Sequence, residues 1–269
     1  MGRERFGGSG GLRGVGSFLG GVGRGFSYVP QFAGRECAAG RDGAGGGCGA
    51  AGRDARRARH GRGGGADVSV ERLSVELVTR VEANEPTDAA WTNPGVVVSH
   101  STSAFELAAG ETREFRLSID VPWEMPLTHA LGRPLKGARV AVRTTLKIGK
   151  AVDRGDFDEV AVHALPAQDM WFEAYERLGF RFDEAEVKRY RAQGGDNQTL
   201  PYCQELEFWF PADYRRPRGS QLETLFIARH DSMDLITGPK GPFPFTYAEM
   251  TPDGCVEWLD AHCRGLWQQ

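Results

Sequence analysis

Signatures of enzymes are missing from this sequence of 269 residues. It has no His-Glu-x-x-His pair and no Walker loop, because Ile148–Ala151 lacks the upstream glycine and the following hydroxyl. The six histidines are dispersed, in no local arrangement with Ser or Cys that would activate a nucleophile. We therefore predict that the protein is not an enzyme, with no catalytic residue and no cofactor.

Long apolar runs and regularly spaced cysteines are also missing. No stretch approaches the roughly 18 apolar residues that a membrane span needs, and the N-terminus lacks the ordered regions of a signal peptide. The five cysteines are odd in number and irregularly spaced, unlike the framework of a small secreted domain. These features predict a soluble cytoplasmic protein with free thiols and no membrane span.

Charge and glycine are distributed unevenly along the chain. Met1–Gly65 holds 23 of the 37 glycines and 11 Arg against 4 acidic residues, a charge of +7, so the total of −3 leaves −10 for the remainder. The acidic remainder argues against a surface for nucleic acid or anionic membranes. Residues 1–64 show no strand or helix period and are predicted to be disordered.

Two interpretations of residues 1–64 stay open. An Arg/Gly-rich arm can bind nucleic acid through phosphate contacts and stacking. Alternatively the segment is not a natural domain, since Arg, Gly and Ala are what GC-rich DNA encodes when it is translated in the wrong frame.

Beyond residue 65, apolar and polar side chains alternate as in strands with one buried face. Turn-forming stretches such as Asn93-Pro94-Gly95 separate these runs. Many short strands and few helices predict an all-β fold of two antiparallel β-sandwiches. The clearest runs are Leu73–Val81, Phe115–Val121 and Val140–Ile148, followed by Phe180–Phe182, Leu206–Phe210 and Leu222–Ala228.

Two segments have helical spacing. The first begins at Pro166 and stops at Gly179, and the second begins at Pro252 with Thr251 as its N-cap. The second helix is expected to pack on the second sandwich or to cap an open sheet edge. Four segments are thus predicted: disordered residues 1–64, a first sandwich at 65–164, a second sandwich at 165–250 that opens with the linker helix, and a C-terminal helix at 251–269.

Two groups of side chains resemble metal ligands only loosely. The acidic run could supply oxygen ligands to calcium, although its spacing is not that of an EF-hand and an aspartate-rich turn explains it equally well. The Cys/His group lacks paired Cys-x-x-Cys spacing and a fourth zinc ligand. No metal site is therefore predicted. The groups are Asp153, Asp156, Asp158 and Glu159, and Cys255, His262 and Cys263.

Aromatic residues suggest either core packing or a surface for a partner. Alternation assigns Phe208 and Phe210 to the core and turns Trp209 outward, so Trp209 is the candidate partner-binding residue. The other aromatic residues considered are Phe243, Phe245 and Tyr247.

Several short segments, in order, resemble the SpoOM-type sporulation-control family between about residues 64 and 246. The resemblance implies two tandem arrestin-like (immunoglobulin-like) sandwiches in a cytoplasmic bacterial protein linked to sporulation or development, with no catalytic residues to carry over. The segments are Leu77–Glu82, Pro122–Thr128, Val142–Leu146, Ala151–Asp153 and Asp156–Asp158, then Leu165–Pro166, Leu178–Phe180, Leu200–Tyr202, Gln204–Phe208 and Leu222–Glu223.

The N-terminus departs from the family pattern. Family members open with a short helix and a few strands, of which residues 1–63 show nothing. A frameshift or wrong start codon would produce this junction, and the first sandwich would then lack its first strands and expose an unpaired edge. The leading hypothesis is a protein-binding scaffold whose partners, not identified by the sequence, bind to strand edges and loops. The alternative is a nucleic-acid-associated protein acting through the arm.

Overall fold

The structure of the protein is a computed structural model that describes residues 54–62, 67–82, 93–149 and 154–266. Strands dominate it, with one helix between two groups of strands and a second helix near the C-terminal end. Its elements are β1 (Asp54–Arg62), β2 (Val68–Thr79), β3 (Gly95–Ser101), β4 (Phe105–Leu107), β5 (Thr112–Asp120), β6 (His129–Ala130), β7 (Arg133–Pro134), β8 (Val140–Ile148), β9 (Arg154–Glu159), α1 (Pro166–Arg177), β10 (Arg181–Lys188), β11 (Cys203–Trp209), β12 (Gln221–Ala228), β13 (Ser232–Thr237), β14 (Lys240–Thr246) and α2 (Pro252–Gly265).

The first half of the protein, from β1 to β9, is a two-layer β-sandwich. Its larger antiparallel sheet has the order β3-β2-β8-β9, with β4 also paired to β2. The alternation of apolar and polar residues predicts which side chains face the core of this sandwich. The inward residues of β2 and β8 are buried and pack against Ile119 of β5, as predicted. The inward residues in this cluster are Val75, Leu77, Val140 and Val142.

Strand β1 corrects part of the prediction of disorder for residues 1–64. It pairs antiparallel with β5 from Asp54 opposite Asp120 to Arg62 opposite Thr112. Alternation could not find it, because strand pairing uses backbone groups that every residue except proline carries, whatever its side chain. Residues 1–53 and 63–64 lie outside the described residues, so the disorder predicted for them stays a prediction, as does the absence of earlier strands.

The second half of the protein, from α1 to α2, contains one five-stranded antiparallel sheet in the order β10-β11-β12-β13-β14. Both helices pack against the same face of this sheet, and Trp171, Tyr175 and Leu259 are completely buried beneath them. The layer opposite the sheet is therefore helical. Apolar stripes on α1 and α2 supply the surface that a facing sheet would otherwise provide.

The helix ends follow the sequence signals. Gly179 has a φ of +82°, and the amide of Phe180 donates to the Tyr175 carbonyl, as in a helix end closed by glycine. At α2 the Thr251 hydroxyl accepts from the Gly254 amide at 3.1 Å, the bond of an N-cap. α2 covers a sheet face rather than an edge.

The strand-rich antiparallel class that the sequence predicts is confirmed. The largest core cluster crosses the predicted boundary at residue 164, because Leu127, Ala130 and Leu135 pack with residues of α1 and of the second sheet. The division into 65–164, 165–250 and 251–269 stays a prediction. In the described part of the chain, neither helix is long and apolar enough to span a membrane.

Candidate partner-binding surface

One face of the second sheet carries the helices, and the opposite face is partly open. Trp209 lies on the open face at the end of β11, between Arg181 of β10 and Gln221 of β12. Its side chain is half-buried, and the Gly219 turn lies beside its ring. Trp209 therefore faces outward, as alternation predicts, while Phe208 is buried under α1.

Carboxylates from three strands surround the approach to Trp209. The Gln221 side-chain amide donates to Asp183 at 2.8 Å and to Glu207 at 2.9 Å. Burial raises the pKa of Glu207, and the nearby carboxylates of Glu186, Glu184 and Glu223 raise it further. The open face thus places carboxylates close to the Trp209 ring, with Arg181 as the cation on its β10 side.

Lys188 forms ion pairs with three carboxylates at the other end of this face. Its ammonium lies 2.6 Å from Glu205, 2.8 Å from Glu186 and 3.5 Å from Glu82. Burial opposes its charge, but Glu186 and Glu205 outweigh burial and hold the pKa of Lys188 above its ordinary value. The Tyr190 hydroxyl also donates to Glu205 at 2.5 Å. Glu205 is therefore a buried carboxylate with two partners, which makes it a structural group.

The loop between β10 and β11 covers the rest of this face. The buried Gln198 amide donates to the carbonyls of Tyr190 and Leu200 and accepts from the Ala192 amide. Ala192 then packs on apolar residues of the sheet, namely Cys203, Leu225, Ile227 and Ile236. The part of the face that stays open is the part around Trp209.

The other aromatic residues considered from the sequence belong to the core or its margin. Phe210, Phe245 and Tyr247 are half-buried and packed against the main core cluster, and Phe243 is half-buried. Phe243 and Phe245 contact Trp258 of α2 edge to face, with ring centroids 5.0 Å and 5.3 Å apart. They are not brought together with Trp209.

The loosely metal-like groups do not assemble. Cys255 and Cys263 are buried on α2, and burial raises the pKa of the Cys255 thiol to about 11. Asp156, Asp158 and Glu159 lie on β9, whereas Asp153 is outside the described residues. Among the side chains that the structure describes, no group of three or more His, Cys, Asp or Glu is placed to hold a metal ion.

Two histidines that are far apart in sequence lie together. The rings of His129 and His163 are 4.8 Å apart between their centroids, beside the start of α1. Burial lowers the pKa of His129, and His163 lowers it further. Sequence inspection missed this pair because no local spacing connects residues on separate segments.

Comparison with known proteins gives the family. The sequence profile of the family described as SpoOM protein matches residues 50–237, well over half of the chain. The chain belongs to this family. The profile match begins before residue 64, where the resemblance in the sequence starts, so it includes β1.

A curated relative and a solved structure agree with the SpoOM profile. The sporulation-control protein spo0M of Bacillus subtilis (strain 168) is 28% identical over 177 residues, which are 66% of this chain and 65% of that protein. The alignment therefore spans less than two thirds of the relative. The crystal structure of Spo0M from Bacillus subtilis superposes with a TM-score of 0.62 at 23% identity, over 79% of this chain and 91% of that chain. At this identity the superposition shows the SpoOM fold alone.

Proposed function

We propose that this SpoOM-family chain takes part in sporulation control as a non-enzymatic cytoplasmic scaffold that binds protein partners through the open sheet face around Trp209. The sporulation role is supported by the similarity to the Bacillus subtilis sporulation-control protein. The binding surface is supported chiefly by one observation, the half-buried outward position of Trp209 on β11. Tryptophan is enriched among residues that dominate protein interfaces.

The surroundings of Trp209 indicate the chemistry of the partner. An aromatic face attracts cations, and Glu207 and Glu223 place negative charge on the same face of β11 and β12. A partner segment that presents lysine or arginine to Trp209 would be attracted both by the aromatic ring and by these carboxylates. Neither the family profile nor the relatives favour the nucleic-acid alternative, and most of the arm that it requires lies outside the described residues.

Binding to the sheet face fits this half better than strand addition. The β14 edge contains Pro244, which has no amide hydrogen to donate to an added strand. The β10 edge already bonds to the first half, since Ala185 donates to the Lys136 carbonyl. A face with an aromatic anchor remains as the accessible surface.

Affinity capture with the full-length chain and variants tests the proposal. The same proteins should be recovered from sporulating cells of its own organism with the wild type and with Trp209→Phe, but not with Trp209→Ala. Each recovered protein is then purified and its Kd is measured against the three chains, with a loss of roughly tenfold or more expected for Trp209→Ala. Equal affinities would exclude Trp209 as the contact.

A separate measurement addresses the sporulation role. Deletion of the gene in its own organism should change the frequency of spores, and the wild-type gene should restore it. If the Trp209→Ala gene restored the frequency of spores as effectively as the wild-type gene, the sporulation role would not depend on this surface.

A further inference from the structure

We propose that the protein partner of the open face carries an anionic group, a carboxylate or a phosphate, that binds to Arg181 and Arg218 beside Trp209. This inference rests on the proposed function and adds a second charge to the partner. That charge is opposite in sign to the lysine or arginine expected near Glu207 and Glu223, so the two together fix the orientation of the partner on the face.

Arg181 is a cation on the same face as Trp209. It lies opposite Trp209 in the pairing of β10 with β11. Side chains opposite each other on antiparallel strands share a face, with Cβ atoms roughly 5 Å apart. Arg181 is exposed and, among the residues that the structure describes, forms no ion pair.

The carboxylates that follow on the same two strands are held by other groups. Asp183 accepts from the Gln221 amide at 2.8 Å and lies 3.8 Å from the Lys136 ammonium. Glu207 accepts from the same Gln221 amide at 2.9 Å. Arg181 is therefore the charged group of this face that remains available to an anion from outside the chain.

A turn brings a second exposed arginine to the other side of Trp209. The Ser220 amide donates to the Pro217 carbonyl at 3.1 Å, which leaves Arg218 and Gly219 at the tip of the turn. Gly219 has a φ of +85°, and a Cβ built there would lie 3.9 Å from the Trp209 ring. Arg218 is exposed, and it too forms no ion pair within the described part of the chain. The ring thus has a free cation on its β10 side and another in the turn beside it.

The sign of the charge reverses one step along the strands. Glu207 pairs with Glu223 in the register of β11 with β12, two residues from the pair of Trp209 with Gln221. Residues two apart on a strand are separated by roughly 7 Å. An extended partner segment with an anionic and a cationic residue two positions apart matches both pairs, whereas the same segment turned end to end brings like charges together.

The test titrates the full chain with three synthetic peptides, Ac-Gly-X-Gly-Lys-Gly-NH2, in which X is glutamate, phosphoserine or serine. Binding is followed by the NMR shifts of the β11 backbone amides. At low salt the glutamate or the phosphoserine peptide should bind about threefold or more tightly than the serine peptide, since exposed ion pairs contribute modestly and are screened by salt. The tighter of the two anionic peptides identifies a carboxylate or a phosphate as the preferred group.

Variants show whether the two arginines cause this advantage. The double variant Arg181→Gln, Arg218→Gln should bind all three peptides equally. Arg72→Gln is the matched control, because it removes an exposed arginine from β2 of the first half, and it should keep the advantage. Equal binding of the three peptides to the wild type, or an advantage that survives in the double variant, would overturn the proposal.

Trp209→Ala separates this contact from the proposed function. If the advantage of the anionic peptides persists in Trp209→Ala and overall affinity is unchanged, the arginines bind the anion and Trp209 is not the anchor. If Trp209→Ala weakens all three peptides and the wild type shows no preference among them, Trp209 remains the anchor and the anionic contact is wrong.

Discussion

The side-chain amide of Gln204 pairs with both backbone groups of Leu127. Its oxygen accepts from the Leu127 amide at 2.8 Å, and its nitrogen donates to the Leu127 carbonyl at 2.8 Å. Glu124 adds a second link, since its carboxylate accepts from the Thr199 amide at 2.9 Å and from the Thr199 hydroxyl at 2.6 Å. Polar side chains thus tie the segment before β6 to the second half.

Gln204→Ala should lower the free energy of unfolding by about 2 kcal/mol, because two partly buried backbone groups of Leu127 lose their partner. Urea denaturation measures the change. Gln221→Ala removes an exposed amide of the same type and should cost less than about 0.5 kcal/mol. Equal losses for the two variants would contradict the importance of the Leu127 contact.

Local patterns predicted much of this fold. The alternation in Val140–Ile148 gave the buried face of β8, and Pro166 with Gly179 gave the limits of α1, because these signals depend on neighbouring residues alone. The link between Gln204 and Leu127 joins residues 77 apart and leaves no periodic trace. Strand β1 was missed for a related reason, since β5 holds it through the backbone.

The candidate surface was predicted only in part. Trp209 was placed outward by the period of its strand, whereas Glu207 beside it gained significance only through Asp183 and Gln221 on adjacent strands. Which charged residues of adjacent strands lie side by side depends on the register of the strands. Sequence patterns do not specify that register for Asp183, Glu207 and Gln221.

The buried hydroxyl of Tyr175 supports a second prediction. It lies 2.5 Å from the Thr224 hydroxyl and 3.0 Å from that of Thr237, and the two threonines are 3.1 Å apart. Tyr175→Phe should cost only about 1 kcal/mol, because the threonines can still bond to each other. Thermal unfolding measures it. Tyr175→Ala should cost about 3 to 5 kcal/mol through the cavity that it leaves, and a loss of that size from Tyr175→Phe would contradict the shared network.

Acid should destabilise the protein through His129. Burial and the neighbouring His163 lower the pKa of His129 in the folded state, so the unfolded chain binds the proton more readily. Its contribution is retained above the unfolded pKa of about 6.5 and is lost as the pH falls below that value. His129→Gln should therefore reduce the fall in Tm between about pH 7.5 and about pH 5.5.

Two histidine controls separate local from general effects of pH. Burial also lowers the pKa of His262, so His262→Gln should remove an independent part of the same loss. His230 is exposed, and His230→Gln controls for the loss of an imidazole from the surface. A profile of His129→Gln identical to that of the wild type would contradict the role of His129.

The outer edge of β14 supports a final prediction. Pro244 lies opposite Asp234 but has no amide hydrogen, so the hydrogen-bonded pairs are the flanking ones, Leu235 with Phe243 and Met233 with Phe245. The backbone of Pro244 is therefore directed away from β13. Pro244→Val adds an outward amide donor and should promote association that increases with concentration, measured by sedimentation. Thr246→Val is the matched control, since it adds an apolar β-branched side chain to the same exposed face without adding a donor. Association of both variants would assign the effect to side-chain hydrophobicity, whereas association of Pro244→Val alone would show that proline keeps this edge closed.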